Sequence, residues 1–327
     1  VERRKLMAFS TAAGYENLPS GNFVPQIYSQ KVLKFFRRAS VAEAITNTDY
    51  SGEIENFGDT VNIIKEPTIS VSSYTRGSTV NTENLADDQI QLIVDQGNYF
   101  AFKVDDIEER HSHLNFESLA TSSGAYELKK AFDFNVLSNI YSNAATSAAD
   151  TGTDGSPLTG AATTLTGDEL ADVISGAAKV LDENDVPYEN RWLVADPEFF
   201  NVLRSASAKI MDASVTGETG SALMNGKVTD RVIHGFKMYQ TNAIVNGGAG
   251  AAASHTFSST NGGEHIFLYG HMSAVATASH IAKTEVIRDP DSFSDIVRGL
   301  HVFGRKVLRG SGTGYKAVFS GVADLGS

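Results

Sequence analysis

Glutamate and histidine side chains are concentrated at residues 109–113, where they suggest a metal site. Glu109, His111 and His113 combine the imidazole and carboxylate groups that bind zinc in many proteins. The periodicity around them is helical, however, and helical residues two positions apart point about 200° away from each other. Only a strand or a loop would bring the two imidazoles together. We therefore expect a solvated helix start here, and no bound metal.

A glycine-rich segment near the carboxyl end resembles a phosphate-binding loop. It reads Gly-Ser-Gly-Thr-Gly-Tyr-Lys over residues 310–316, but it lacks the four-residue spacer and the hydroxyl residue after the lysine that such loops require. The residues that follow are strand-like rather than helical, so we expect a turn. No serine lies in a G-x-S-x-G pattern, and the sequence has no cysteine. These observations predict neither an enzyme nor a cofactor.

Charge is distributed unevenly along the 327 residues, whose formal net charge is -12. Residues 1–38 carry seven basic and two acidic side chains, residues 39–282 carry 13 and 32, and residues 283–327 carry seven and five. An acidic body does not favour wrapping nucleic acid as the main activity, because phosphate contacts need clustered Lys and Arg. The longest uncharged apolar stretch, residues 266–282, contains His271 and His280. We therefore expect no membrane association.

The order of elements predicts an α+β fold. Residues 1–45 read as an arm with a basic amphipathic helix, and residues 46–103 read as two strands of a long hairpin with too few apolar positions for a core of its own. Such a hairpin needs an outside partner because two strands alone are at best marginally stable. Packing on its own domain is the alternative. A long helix is predicted over residues 105–143, followed by a Gly/Ser/Thr-rich linker.

Alternating helices and strands follow that linker. Thr166 and Glu169 have the spacing of a capping box, and Asp196 and Pro197 predict the start of a second helix. A buried strand is expected at residues 192–195 and further strands at 228–239 and 264–269. The tail over residues 281–319 is again strand-like, with bends expected at Gly304 and in the glycine-rich segment.

Three stretches carry a resemblance to the major capsid protein of tailed double-stranded DNA bacteriophages, the Hong Kong phage type of shell fold. Residues 181–197 resemble its helix, Val-Pro, Arg and strand-to-proline passage. Residues 226–242 resemble its strand through a Gly-Phe pair to an Asn, and residues 288–304 its closing return strand. None of the three stretches is catalytic. Together with the element order, the resemblance covers most of the chain.

The resemblance implies a structural subunit that assembles with itself into pentamers and hexamers around packaged double-stranded DNA. Scaffolding, portal and decoration proteins are further implied partners, the virion shell is the implied location, and assembly would occur in the host cytoplasm. It also implies four regions: an arm at 1–45, an extended loop at 46–103, a peripheral domain at 104–154 and 284–327 with the long helix as its spine, and an axial domain at 155–283. A cellular nanocompartment shell of the same fold and a metal-dependent hydrolase are the alternatives.

Candidate contact residues follow from the same resemblance. Arg76 near the hairpin tip and Lys65 on its first arm are candidate contacts between subunits. Some family members cross-link a loop lysine to a neighbour's asparagine; here Lys65 is the only lysine at 46–102, and Asn261 is the last asparagine, so we expect no cross-link. Seven basic residues are candidates for facing the lumen, near scaffold or DNA: Arg3, Arg4, Lys5, Lys31, Lys34, Arg37 and Arg38.

Overall fold

The structure is a computed structural model. It describes residues 40–53, 60–66, 69–77, 79, 82, 89–105, 116–146, 166–204, 232–244, 264–290, 292–311 and 315–325. Contacts divide the chain into the units Val1–Phe36 and Arg37–Ser327, and every described residue belongs to the second unit. The seven basic residues of the predicted lumenal arm lie outside the described residues, as do Glu109, His111 and His113.

Three sheets form the β-structure of this described part. In the two-stranded sheet, β1 (Thr60–Ile64) pairs antiparallel with β2 (Gln89–Ile93). The three-stranded sheet has β10 (Ser294–Val307) in the middle, flanked by β3 (Gln96–Asp105) and β9 (Val275–Arg288). The six-stranded sheet has the order β4, β11, β8, β5, β7, β6, with bounds Ala145–Thr146, Val318–Asp324, Glu264–His271, Arg191–Ala195, Phe236–Gln240 and Val232–Ile233.

Two of the described helices begin where the sequence supplies a capping side chain. The described α-helices are α1 (Ala42–Ile45), α2 (Phe116–Asn143), α3 (Gly167–Glu183) and α4 (Pro197–Leu203). The predicted capping box is confirmed at the start of α3, where Thr166 and Glu169 bond each other's backbone amides. At α4 the Asp196 carboxylate accepts a hydrogen bond from the Phe199 amide at 3.0 Å, and Pro197 occupies the first turn.

The long helix α2 packs on one face of the three-stranded sheet. Phe132 meets Phe303 edge to face, with ring centroids 4.9 Å apart, and Phe100 of β3 lies under Gly124 of the helix. A continuous buried core then runs from α2 into the six-stranded sheet and α4, where Trp192 and Tyr269 of the sheet and Phe199 of the helix are almost fully enclosed. The helix therefore joins the two larger sheets through one core.

The structure differs from the sequence predictions at four places. The strand predicted at residues 228–239 is a tight hairpin in its described part, because His234 and Gly235 have positive φ values and form a turn between β6 and β7. Asp105, predicted to open the long helix, is the last residue of β3, because β3 continues its ladder with β10 as far as the Asp105–Ser294 pair. Gly304 lies inside continuous β10 rather than at a bend; a Cβ there would come within 2.7 Å of the Ile93 carbonyl oxygen, so the glycine permits a close backbone approach. β11, placed by the predicted boundaries in the peripheral domain, pairs with β8 and β4.

Within the described part of the chain, no helix combines the length and the apolar character needed to cross a membrane.

Candidate assembly surface

In the part of the hairpin that the structure describes, the β1–β2 strand pair packs on the rest of the subunit near its base. Val61, Ile63 and Ile90 turn one face inward, against a small buried cluster formed by Leu92 and Val94 with residues of β9 and β10. Alternation in the two strands explains this, because successive side chains of a strand point to opposite faces. Two strands alone are at best marginally stable in water. The contacts with β9 and β10 therefore stabilise the β1–β2 pair.

Beyond that base, the described hairpin residues are exposed. Residues 69–77 are all solvent-accessible, and three of them are large apolar side chains. Ile69 is 68% exposed, Val71 97% and Tyr74 69%. Water-exposed apolar side chains in such a group mark interaction surfaces in soluble proteins. We name Ile69, Val71 and Tyr74 the apolar tip.

The two predicted contact residues of the hairpin lie in different settings. Arg76 is exposed in a turn completed by Gly77, whose φ of 89° favours glycine, and it makes no ion pair with any described residue. Lys65 follows the last residue of β1, is half-buried, and lines a polar cavity at the hairpin base. The structure therefore separates Arg76 and Lys65 rather than forming one charged site from them.

That cavity has a volume of about 640 Å³ and lies where the hairpin base, the end of α2 and the end of β10 meet. Among the described residues, its charged lining is Lys65, Arg305, Lys306 and Asp95. Arg305 Nη1 lies 3.6 Å from Asp95 Oδ1, and the Arg305 Nε is buried with no hydrogen-bond partner among the described residues. Burial lowers the pKa of Arg305, an effect that the Asp95 carboxylate opposes. The described part of the lining therefore holds more basic than acidic side chains.

The outer face of the three-stranded sheet is a second exposed surface with apolar groups. Tyr99 of β3 and Leu300 of β10 are cross-strand partners on this face, 77% and 41% exposed. Beyond it, Phe293 is 80% exposed in the turn between β9 and β10. That turn is braced because Lys103 pairs with Asp289, which also accepts a hydrogen bond from Ser292. An aromatic side chain held out on a braced turn is suited to contact a partner.

The buried charges elsewhere have structural roles. The Arg191 side chain is fully buried and bonds the Asp182 carboxylate at 2.7 Å and the Pro187 carbonyl at 2.8 Å. It thus fixes the connection between α3 and β5, which explains the Val-Pro and Arg spacing seen in the sequence. His265 contacts the buried helix cap Asp196. Among the described residues no group of three or more His, Asp or Glu side chains could hold a metal.

Sequence reasoning missed the exposed apolar groups and the cavity. Tyr99 and Phe293 stand in strand-like sequence in which alternation does not tell which side faces water. Arg305 and Lys306 lie some 240 residues after Lys65 along the chain, so no local spacing joins them. The one available signal was the hairpin's shortage of apolar residues, which led to the expectation of an outside partner.

Comparison with known proteins agrees with a shell subunit. The model of the family described as phage capsid protein matches residues 93–318, which is 226 of the 327 residues. The match covers the three-stranded sheet, the long helix and most of the six-stranded sheet. No curated protein matches the sequence.

Solved structures share the fold over nearly the whole chain. A chain from Mycobacterium phage Che8 is 26% identical, with a TM-score of 0.73 over 94% of this chain and 99% of that one. The capsid of cyanophage P-SCSP1u is 20% identical, with a TM-score of 0.70 over 92% and 93%. The acid-stable capsid of Helicobacter pylori bacteriophage KHP30 is 13% identical, with a TM-score of 0.64 over 98% and 100%.

The predicted α+β shell fold is thereby confirmed, together with the resemblance on which it rested. A capsid protein acts by assembling, which fits a subunit whose exposed apolar groups lie on a projecting hairpin and an open sheet face. By its sequence and its fold, this chain belongs to the phage capsid protein family and is a structural subunit of a phage head.

Proposed function

We propose that the chain forms pentamers and hexamers that close into an icosahedral shell around double-stranded DNA. The observation that carries this proposal is the apolar tip, whose three large side chains are exposed beyond the buried contacts of the β1–β2 strand pair. In isolation the tip exposes apolar surface to water at a free-energy cost of about 25 cal/mol per Å². Contact with a neighbouring subunit removes that cost.

Assembly of this kind depends on many modest contacts. A single subunit contact of several kcal/mol lets a misplaced subunit dissociate, whereas a closed shell holds each subunit through several contacts at once. Arg76 acts as a contact residue of the hairpin, where it meets a carboxylate of a neighbour. If an Arg76→Glu variant forms normal shells, that result would contradict this contact and indicate that Arg76 is a solvated side chain.

The four predicted regions stay part of this proposal, with the correction that β11 belongs to the six-stranded sheet. In the assembled shell the basic arm faces the lumen, near scaffolding protein or DNA. Its charge of +5 over residues 1–38, from seven basic and two acidic side chains, supports this orientation. Replacement of Arg3 and Arg4 by glutamate is expected to impair assembly or packaging; unaffected DNA-filled heads would contradict the orientation.

Electron microscopy of the high-mass fraction from size-exclusion chromatography tests the proposal directly. We expect closed shells or rings of five and six subunits from the chain expressed alone or with the scaffolding and portal proteins of its phage, in host cytoplasm. Nucleic acid inside mature particles would support a virion shell. An enclosed enzyme would instead indicate a nanocompartment, and a chain that stays monomeric under all these conditions would contradict assembly.

A further inference from the structure

One continuous segment crosses the subunit from the long helix α2 to the base of the hairpin. It contains α1 and ends in a short 3₁₀ helix, Asp49–Glu53, that packs against β9. Tyr50 of this 3₁₀ helix packs against the same small buried cluster as Val61 and Ile90 of the hairpin. We name residues 40–53 the strap. Only six residues of chain separate the strap from β1.

The first fastening point of the strap is a buried carboxylate of α2. Asp133 is 1% exposed, and it accepts a hydrogen bond from the Ser40 hydroxyl at 2.6 Å. It also accepts from the Val41 and Ala42 amides, at 3.4 and 3.3 Å. These amides lie at the start of α1, where a helix cannot supply its own acceptors, and Val41 offers no capping side chain. A carboxylate of one helix therefore caps the start of another.

The second fastening point joins the strap to β9. The buried Thr46 hydroxyl donates to the Ala42 carbonyl oxygen at 2.8 Å and lies 2.8 Å from the Thr277 hydroxyl, which is also buried. Because a threonine hydroxyl has one proton, Thr277 is the donor of the second bond. The Asn47 amide donates to the Val275 carbonyl at 2.8 Å, and the Thr277 amide donates to the Asn47 carbonyl at 2.9 Å. Side-chain and backbone bonds thus hold the strap on the strand.

The hydrogen bonds of the two fastening points form one connected set. Ala42 takes part in both, since its amide bonds Asp133 and its carbonyl bonds Thr46. When one member of a buried set separates, the others lose a partner where water does not replace it, so such bonds break together. The apolar contribution is small, because Val41, Ala42 and Ile45 are the buried apolar residues of the described strap. Segments with few buried apolar contacts open before the rest of a fold.

We infer that the strap is a conformational device that couples α2 to the hairpin. Release from Asp133 frees the strap from α2 and β9, withdraws Tyr50 from the cluster beneath the hairpin base, and loosens β1 and β2 with it. The subunit keeps its six-stranded sheet while the hairpin changes its angle. The use of this freedom in assembly rests on the proposed function, whereas the coupling is a property of a single subunit.

Hydrogen exchange of backbone amides in the unassembled full chain tests the coupling. Asp133→Ala removes the acceptor of all three donors, and Thr166→Ala is the matched control because it removes a helix cap outside the strap. We expect Asp133→Ala to speed exchange in the strap and in β1 and β2 by the same factor, about tenfold or more. Thr166→Ala should speed exchange in β5 and leave the strap and the hairpin strands unchanged, because the cap of α3 stays intact when only the strap opens.

Two results would overturn the inference. Unchanged exchange of β1 and β2 in Asp133→Ala would mean that the hairpin opens independently of the strap. Equal acceleration of β5, the strap and the hairpin strands in Thr166→Ala would mean that all of them open only when the whole subunit unfolds. If Asp133→Ala does not fold, Ser40→Ala, which removes one of the three donors, is judged by the same two criteria with an expected factor of about threefold. Neither result bears on shell formation, so the proposed function is tested separately.

Discussion

The ring of Phe100 lies directly against Gly299, its cross-strand partner in β10, and occupies the space that a side chain at residue 299 would take. On its other side the same ring contacts Gly124 of α2, where a Cβ would lie 2.8 Å from the ring. Two glycines 175 positions apart in the chain thus form the slot in which one aromatic ring joins helix to sheet.

Gly299→Ala is therefore expected to destabilise the subunit by about 1–3 kcal/mol, because the added methyl group overpacks the slot. The control is Gly97→Ala in β3, where the nearest atom to a new Cβ is 3.9 Å away. We expect that control to stay within about 0.5 kcal/mol of wild type in urea unfolding. Combining Gly299→Ala with Phe100→Leu should recover part of the lost stability, because the smaller side chain leaves room for the methyl group. If the stability losses of the two single variants simply add in the double variant, the two residues do not share a slot.

The two helix caps should differ in their importance. Thr166→Ala removes the exposed capping box of α3 and should cost about 1 kcal/mol. Asp196→Ala removes a cap that is 1% exposed and also leaves His265 without its carboxylate partner, so we expect a loss of about 3 kcal/mol. Equal losses of unfolding free energy in the two variants, measured in urea, would show that burial of the Asp196 cap contributes nothing further to stability.

Acidification should weaken the subunit through His301. Burial between Phe132 and Phe303 lowers the pKa of this histidine below its usual 6.5, against a smaller opposite effect of Glu43. A lowered folded-state pKa means that the unfolded chain binds the proton more readily, so stability falls as pH drops below about 6.5 and stops falling below the folded pKa. Burial also lowers the pKa of His271, so protonation of His271 should weaken folding in the same way.

A comparison of unfolding free energies at pH 7.5 and 5.5 measures that effect. We expect His301→Gln to lose less stability than wild type across this interval. The control is His234→Asn, since His234 is exposed and has a positive φ of 48° that asparagine tolerates. An unchanged pH dependence in His301→Gln would show that another group is responsible.

A charge at the apolar tip should impair assembly without affecting folding. Val71→Asp places a carboxylate at a side chain that is 97% exposed, so the unassembled chain should unfold within about 0.5 kcal/mol of wild type. Burial of that carboxylate at a subunit contact is unfavourable, and shells should become fewer or absent. Val232→Asp, at a valine that is 70% exposed on β6, is the control. Equal shell yields for wild type and Val71→Asp would contradict a contact at the tip.

Assembled shells are expected to dissociate completely in boiling detergent into a single band near 35.0 kDa. Lys65 lines the polar cavity, and no asparagine follows Asn261 in the strands that return along the sheet. Denaturing electrophoresis of purified shells, with Lys65→Arg beside wild type, checks this. A ladder of dimers and trimers that Lys65→Arg removes would reveal a covalent bond at that lysine.

Local chemistry made part of the fold predictable. Thr166 with Glu169, and Asp196 with Pro197, specify helix starts through groups only a few residues apart, and the structure has both helices there. The apolar run at Trp192 likewise predicts the buried strand Arg191–Ala195. In each case the physical cause is contained in a short window of sequence.

Long-range pairing was not predictable in the same way. The contact of Phe100 with Gly299 and the joining of β11 to β8 depend on which strands meet in space, which no periodicity encodes. Asp105 was assigned to a helix because acidic residues suit a helix start. In the structure its backbone pairs with Ser294 of β10, so it lies at the end of a strand. The cavity was missed for the same reason, since Lys65 and Arg305 come together only through the fold.

The described hairpin residues fall into two groups, those packed on the subunit core and those exposed at the tip. Residues at 61–63 and 90–94 are constrained by the subunit's own stability, whereas Ile69, Val71 and Tyr74 contribute nothing to the buried core. Substitutions at the tip should therefore leave each subunit folded. If the tip contacts a neighbouring subunit as proposed, the surface that joins subunits can vary in sequence independently of the core that folds each one.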